Sequence, residues 1–125
     1  MAEHNKNLHI VARIQEYCAE IDAMTERFGK TQVAFSADFA YRSACAMCVL
    51  QIGELAARLT DDFRDRHNGV PWKLIRAMRN VFAHDYDNMN IAQTWTTITT
   101  DIPRLKEYCG EILRMEGYGE SEDKA

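Results

Sequence analysis

Apolar side chains recur at helical intervals along the first part of the chain, and no other feature constrains the fold as strongly. Over residues 8–28 they are separated by three, three, four, three and seven positions, with charged residues between them. Because an α-helix turns once in about 3.6 residues, this spacing predicts one amphipathic helix. Gly29 follows directly and is typical of a helix terminator with positive φ, and Thr31 or Ser36 could cap the next element. The apolar face comprises Leu8, Val11, Ile14, Cys18, Ile21 and Phe28.

Two further helices are predicted in the middle of the chain. Residues 36–59 are rich in Ala, Leu and Met and are apolar around more of the helix than the first segment, so we expect this helix at the centre of a bundle. Residues 60–70 are polar and precede Pro71, which favours the first turn of a third helix because its missing N–H would be unpaired there. This helix is expected to reach His84, with an apolar face of Trp72, Ile75, Met78, Val81 and Phe82.

The last predicted helix begins near Ile91 and contains Pro103, which implies a kink or a break at that point. Residues 94–100 are rich in threonine, a strand-like composition, yet no segment alternates between apolar and polar residues for long. The sequence therefore predicts an all-α fold, an antiparallel four- to five-helix bundle, built by a single domain over residues 1–115. The apolar positions of this helix are Ile91, Trp95, Ile98 and Ile102.

Charge is distributed unevenly along the chain. The sequence has 15 Lys and Arg residues against 19 Asp and Glu, a formal net charge of −4, which argues against a protein that coats nucleic acid without specificity. Residues 116–125 hold four acids and one Lys, and we expect this acidic tail to be disordered.

The longest apolar run, residues 44–50, is far shorter than the roughly 20 residues of a membrane span. No secretory signal is apparent, so we expect a cytoplasmic protein without membrane contact.

Cys45 and Cys48 form a Cys-x-x-Cys motif, which in other settings binds zinc or acts as a redox pair. A structural zinc site needs four ligands, and the histidines of this chain are scattered. The motif also lies inside an apolar helical run rather than at a helix start. We therefore interpret both cysteines as small core residues and expect neither a metal nor a cofactor.

Basic residues concentrate in residues 64–84, where five Lys and Arg stand against one acid. On a helix that begins at Pro71, the positions of Lys73, Arg76 and Arg79 succeed one another on neighbouring parts of one side. Asn80 and His84 are four residues apart and share a face.

Arg79 and His84 are five residues apart, which rotates them by about 140° around a continuous helix. They can cooperate only if the helix loosens near His84 or if a two-fold partner brings a second copy of the pair alongside. Histidine can move a proton near neutral pH, and arginine can bind a phosphate and stabilise charge that develops on it. With RNA, the 2′-hydroxyl can be the nucleophile, so this chemistry needs no metal.

Other interpretations of these residues stay open on spacing alone. Arg, Asn and His are also common capping groups at helix ends. Glu54, which follows Gly53 inside the second predicted helix, is either solvated or a buried acid paired with one of the arginines.

The segment GVPWKLIRAMRNVFAHDYDNMN resembles the signature of the HEPN superfamily, and specifically the HepT-like toxins encoded beside a minimal nucleotidyltransferase antitoxin. Its R-x4-H core corresponds to Arg79 and His84, and the R-N-x3-H form includes Asn80. The resemblance covers roughly residues 5–114. It includes the upstream Ile-Gly-Glu-Leu-Ala-Ala sequence at residues 52–57 and a downstream pattern formed by Trp95, Ile98, Asp101, Ile102, Pro103 and Leu105.

The resemblance implies a dimerising all-α bundle that acts as a metal-independent endoribonuclease toxin of a type VII-like toxin–antitoxin system in a prokaryotic cytoplasm. In that interpretation Arg79 stabilises the scissile phosphate, His84 is the general acid or base, and Asn80 orients His84 or a phosphate oxygen. Lys73 and Arg76 bind RNA phosphates, and DNA is not a substrate.

The resemblance also implies a regulatory site, because the family motif often continues as H-x-Y and the tyrosine is adenylylated by the partner nucleotidyltransferase. That position is Tyr86 in this chain. Two alternatives remain: a noncatalytic helical module that binds the nucleotidyltransferase, and a chain that accepts AMP at Tyr86 without nuclease function.

Overall fold

The computed structural model describes residues 2–84 and 90–119, and for residues 80–84 it describes the backbone only. This part of the chain is helical and contains no strand. The elements are α1 (Ala2–Phe28), α2 (Gln32–Ala37), α3 (Phe39–Ala57), α4 (Asp61–Arg66), α5 (Trp72–His84), α6 (Ile91–Thr96), a π-helical segment (Thr97–Asp101) and α7 (Ile102–Met115).

The long helix α1 runs antiparallel to both α3 and α7, and the three helices surround one core. The start of α1 meets the end of α3, where the Asn7 amide donates to the Thr60 hydroxyl at 3.1 Å. The end of α1 meets the start of α7, where Lys106 donates to Asp22 at 2.8 Å. α3 also packs against α5. The all-α bundle predicted from the sequence is confirmed, and α3 is its central helix.

The predicted apolar face of α1 is confirmed, since five of its six residues are buried and Phe28 is partly buried. α1 ends at Phe28, and Gly29 follows with a φ of 117° that only glycine adopts without strain. Within the described chain, no helix is both long and apolar enough to cross a membrane. The five buried residues are Leu8, Val11, Ile14, Cys18 and Ile21.

The predicted start of the second helix is wrong by three residues, because a short helix precedes it. Thr31 caps α2 by accepting from the Ala34 N–H at 3.1 Å, so Ser36 is inside α2 and not a cap. Asp38 interrupts the helix with extended backbone and accepts from the Ala40 and Tyr41 N–H groups, which starts α3 at Phe39.

The polar stretch predicted to connect the second and third helices also contains a short helix. Thr60 caps α4 by accepting from the Phe63 N–H, and the Phe63 side chain is fully buried. Arg64 donates to the carbonyl oxygens of Ala56 and Leu59 at the end of α3. α4 thus closes the carbonyl end of α3.

Of the kink or break predicted at Pro103, the break is wrong, because the chain remains helical through this residue. The irregularity lies just before it, in the π-helical segment, and Pro103 occupies the first turn of α7. A π turn shifts the hydrogen-bond pattern by one residue, which accommodates the missing N–H and the ring. The threonine hydroxyls suit this segment, because those of Thr96, Thr97 and Thr99 donate to backbone carbonyls one turn back.

Glu116 and Tyr118, which the sequence assigned to the acidic tail, contact α1. The Glu116 carboxylate is hydrogen-bonded to His4 at 2.8 Å, and the Tyr118 hydroxyl is hydrogen-bonded to His9 at 2.7 Å. Residues 120–125 lie outside the described residues.

The cysteines are buried and free, which confirms Cys45 and Cys48 as core residues. Burial raises the pKa of both thiols to about 12, so they are protonated at neutral pH. In the described ranges, no three His, Cys, Asp or Glu side chains are grouped so that they could hold a metal ion.

Candidate functional site

An open cleft of about 570 Å³ lies between α4 and the first two turns of α5, and we name it the α5 cleft. Three basic residues of α5 line it together with Arg64, and the acids Asp61 and Asp65 lie on the α4 side. The basic residues of α5 are Lys73, Arg76 and Arg79.

α5 is positioned by its apolar face. The Trp72 indole is buried and donates to the His67 carbonyl oxygen at 2.6 Å, which ties the first turn of α5 to the end of α4. Ile75 is buried one turn later. Lys73 and Arg76 are exposed on the other side, so the amphipathic pattern alone directs these two cations into the cleft.

The basic residues of segment 64–84 differ in the contacts that their side chains make. Arg64 donates to the carbonyl oxygens of Ala56 and Leu59 and forms an ion pair with Asp61, so its side chain stabilises the fold. Arg66 pairs with Asp62 at 3.4 Å and does not line the α5 cleft. Lys73 and Arg76 make no ion pair with any residue in the described parts of the chain. These two side chains are therefore available to an anionic ligand.

Arg79 pairs with Glu54 of α3 across a distance of 3.4 Å between Nη1 and Oε2. The two side chains are 42% and 50% exposed, so water screens the pair. The alternatives left open for Glu54 are thereby resolved in the structure: it is solvated and it also pairs with an arginine. An anionic ligand that reached Arg79 would compete with this carboxylate.

Gly53 brings α5 close enough to α3 for that pair to form. A Cβ atom at Gly53 would lie 3.0 Å from the Arg79 Cβ and 3.1 Å from the Arg79 backbone nitrogen. The sequence contained a signal for this contact in the Gly53-Glu54 dipeptide inside a helix, but only the packing identifies Arg79 as its partner.

We expect Gly53→Val to destabilise the protein by about 1–3 kcal/mol, because two branched methyl groups would have to enter a contact that a single Cβ already fills. Chemical denaturation measures the free energy of unfolding. Ala40→Val is the matched control, since Ala40 is exposed on the same helix, and we expect it to change stability by less than about 0.5 kcal/mol. Equal stability of the two variants would contradict the close approach of α3 and α5.

The Arg79-to-His84 segment lies on one continuous helix, because α5 extends from Trp72 to His84. The positions of Arg79 and His84 are therefore rotated by about 140° from each other. The helix does not loosen before His84, which was one of two ways in which the pair could converge. The structure describes only the backbone of Asn80 and His84, and Tyr86 lies outside the described residues.

Comparison with known proteins relates the chain to ribonucleases. A family model described as Ribonuclease HepT-like matches residues 14–112. A protein of Caldanaerobacter subterraneus subsp. tengcongensis, named as a candidate RNase, is 42% identical over 65 residues, which are 52% of this chain and 58% of that protein. A protein of Thermococcus cleftensis, named a probable ribonuclease HepT, is 34% identical over 55 residues, which are 44% of this chain and 50% of that protein.

A protein of Methanocaldococcus jannaschii, named as a gamma-glutamylcyclotransferase and candidate RNase, is 30% identical over 111 residues. The alignment covers 89% of this chain and 45% of that protein. The chain thus spans about half the length of these curated relatives. No solved structure matches the chain.

Proposed function

The chain belongs to the HepT-like ribonuclease family, and from that membership we propose that it is a metal-independent endoribonuclease toxin with its active site on α5. The observation that carries the proposal is the α5 cleft, where Lys73, Arg76 and Arg79 line one open surface inside the segment that the family model matches. Ammonium and guanidinium groups bind RNA phosphates through charge-assisted hydrogen bonds.

Each residue of the motif takes one role in the proposed reaction. A base removes the proton of the RNA 2′-hydroxyl, the 2′-oxygen bonds to the adjacent phosphorus, and the bond from phosphorus to the 5′-oxygen breaks as that oxygen gains a proton. His84 serves one of these proton transfers, and Arg79 stabilises the charge on the phosphate. Asn80 orients His84 or a phosphate oxygen, and Lys73 and Arg76 hold neighbouring phosphates.

This chemistry is tested on purified protein and single-stranded RNA in the presence of EDTA. We expect cleavage to persist and the products to carry a 2′,3′-cyclic phosphate and a 5′-hydroxyl, because the nucleophile belongs to the RNA itself. Products with a 5′-phosphate, or loss of cleavage in EDTA, would contradict the mechanism. A chain that binds the nucleotidyltransferase stably but cleaves no RNA would instead be the noncatalytic binding module.

We further propose that the active site forms across a homodimer. The continuity of α5 through His84 supports this, since Arg79 and His84 of one chain are rotated apart and a second copy can bring them together. Exposed apolar residues on α3 suit such an interface. Phe39 and Met47 are 63% and 56% exposed, and they share a side of α3 with Glu54, the partner of Arg79.

Toxin–antitoxin pairing with a minimal nucleotidyltransferase in a prokaryotic cytoplasm is also part of the proposal, and Tyr86 is the proposed acceptor of AMP. An added AMP two residues from His84 would place negative charge where RNA phosphates bind. We expect co-expression with the nucleotidyltransferase to add one AMP to the wild-type chain and none to Tyr86→Phe, and intact-mass measurement detects the difference. An unmodified wild type, or a Tyr86→Phe variant that still gains AMP, would remove Tyr86 from the proposal.

A further inference from the structure

A second basic cleft lies between α1 and the end of α3, and we name it the α1 cleft. Its volume is about 410 Å³. Thr60 lines the α1 cleft while the next residue, Asp61, lines the α5 cleft, so the two surfaces adjoin along the chain. The lining residues are Glu3, Lys6, Asn7, His9, Ile10, Arg13, Leu55, Arg58 and Thr60.

Positive charge dominates this cleft. Glu3 is the one acid among its lining residues, against Lys6, Arg13 and Arg58. Lys6 and Arg58 are exposed and make no ion pair with any residue that the structure describes. Arg13 forms an ion pair with Glu16, with 2.8 Å between Nη1 and Oε2. Lys6 of α1 and Arg58 at the end of α3 therefore line this cleft without an ion pair to any of the described residues.

Partly buried hydrogen bonds join the two backbone segments that carry these cations. Asn7 is buried, donates to the Thr60 hydroxyl at 3.1 Å and accepts from the Thr60 backbone N–H at 3.1 Å. Lys6 is the neighbour of Asn7, and Arg58 lies two residues before Thr60. The backbone on both sides of the cleft is thus fixed before a ligand binds, which lowers the entropic cost of binding.

The aromatic ring of Tyr118 contacts His9, which is one of the residues that line the cleft. The Tyr118 hydroxyl is hydrogen-bonded to His9 at 2.7 Å, and the two rings meet edge to face at 5.4 Å. Tyr118 is 36% exposed. Cations beside an exposed aromatic ring are typical of surfaces that bind single-stranded nucleic acid, in which phosphates pair with the cations and bases stack on the ring.

We propose that the α1 cleft is a second binding site for single-stranded RNA, in which Lys6 and Arg58 hold the phosphate backbone and Tyr118 stacks against a base. The site rests on the proposed function only in the choice of RNA as the polyanion. It extends the bound strand beyond the nucleotides at Arg79 and His84, so it contributes to the affinity for long RNA and not to the chemical step.

The test measures binding of the full chain to a fluorescent 2′-O-methyl RNA oligonucleotide, which lacks the 2′-hydroxyl nucleophile and is not cleaved. In the double variant Lys6→Glu with Arg58→Glu, we expect Kd to rise about ten-fold or more at moderate salt. The slope of log Kd against log salt should fall by about 1.4, since each neutralised phosphate of a single strand contributes about 0.7. The control is Arg27→Glu in the last turn of α1 with Lys30→Glu just beyond it, which makes the same charge change outside the cleft. We expect the control to bind within about three-fold of the wild type.

Tyr118→Ala should raise Kd by about five-fold or more, whereas Tyr118→Phe keeps the ring and should bind like the wild type. Equal weakening by the cleft variant and the control, or unchanged binding in the cleft variant, would overturn the proposal. Preferential loss of an acidic protein partner, with RNA binding intact, would overturn it as well. If the wild type cleaves no RNA but the cleft variants still lose binding as expected, the proposed function is wrong. The α1 cleft would then remain a binding site for RNA.

Discussion

We expect His84→Ala to lower the rate of RNA cleavage by about 10²–10⁴-fold, the range that positioned proton transfer contributes to catalysis. The single-turnover rate at saturating protein is the decisive quantity, because it reports the chemical step and not the affinity for RNA. The oligonucleotide Kd should change little, since Lys73, Arg76 and Arg79 retain the phosphate contacts.

His4→Ala is the matched control for this experiment. His4 is partly exposed, lies on α1, is hydrogen-bonded to Glu116 and does not line the α5 cleft. We expect its cleavage rate to stay within about two-fold of the wild type, as for surface substitutions in general. A His84→Ala protein that is folded and cleaves at the wild-type rate would exclude His84 from the mechanism.

We expect Arg79→Ala to lower kcat/KM for RNA by about 10²–10³-fold, comparable with the loss of one preorganised donor to a developing negative charge. Stability should fall by no more than about 1 kcal/mol, because the Arg79–Glu54 pair is half exposed and screened. Alanine also keeps the Cβ that faces Gly53, so α3 and α5 can stay in place. Thermal unfolding measured beside the kinetics separates the two effects.

Two companion variants sharpen the result for Arg79. Arg79→Lys keeps the charge but loses the planar fork of donors, so we expect only partial recovery of cleavage. Glu54→Gln removes the competing carboxylate and should preserve cleavage. If Glu54→Gln lost as much activity as Arg79→Ala, the ion pair itself and not a phosphate contact would be the role of Arg79.

Mixing the two inactive proteins tests whether the site is shared between chains. A dimer of one Arg79→Ala chain and one His84→Ala chain contains one intact composite site if Arg79 and His84 act across the interface. Random reassortment should then restore about a quarter of the wild-type activity. Sites contained within single chains would yield no recovery.

Sequence reasoning located the long helices because their determinants are local. The spacing of Val11, Ile14, Cys18 and Ile21 specifies a buried face whatever the rest of the chain does, and Gly29 ends the helix through its own backbone preference. The short helices α2 and α4 were not predicted, because six residues are too few to show a helical period. Each of them depends on a single capping residue, Thr31 for α2 and Thr60 for α4.

By itself, the sequence determined the all-α fold, the burial of Cys45 and Cys48, the basic face of α5 and the resemblance that pointed to HepT-like ribonucleases. Only the tertiary structure decided which cations are available. It assigned Arg64 to the carbonyl end of α3, paired Arg79 with Glu54 and set Lys6 beside Arg58. Arg79 and Glu54 are far apart in the sequence, and so are Lys6 and Arg58. The spacing of apolar residues shows the direction of a side chain on its own helix, but it does not show which helix packs opposite it.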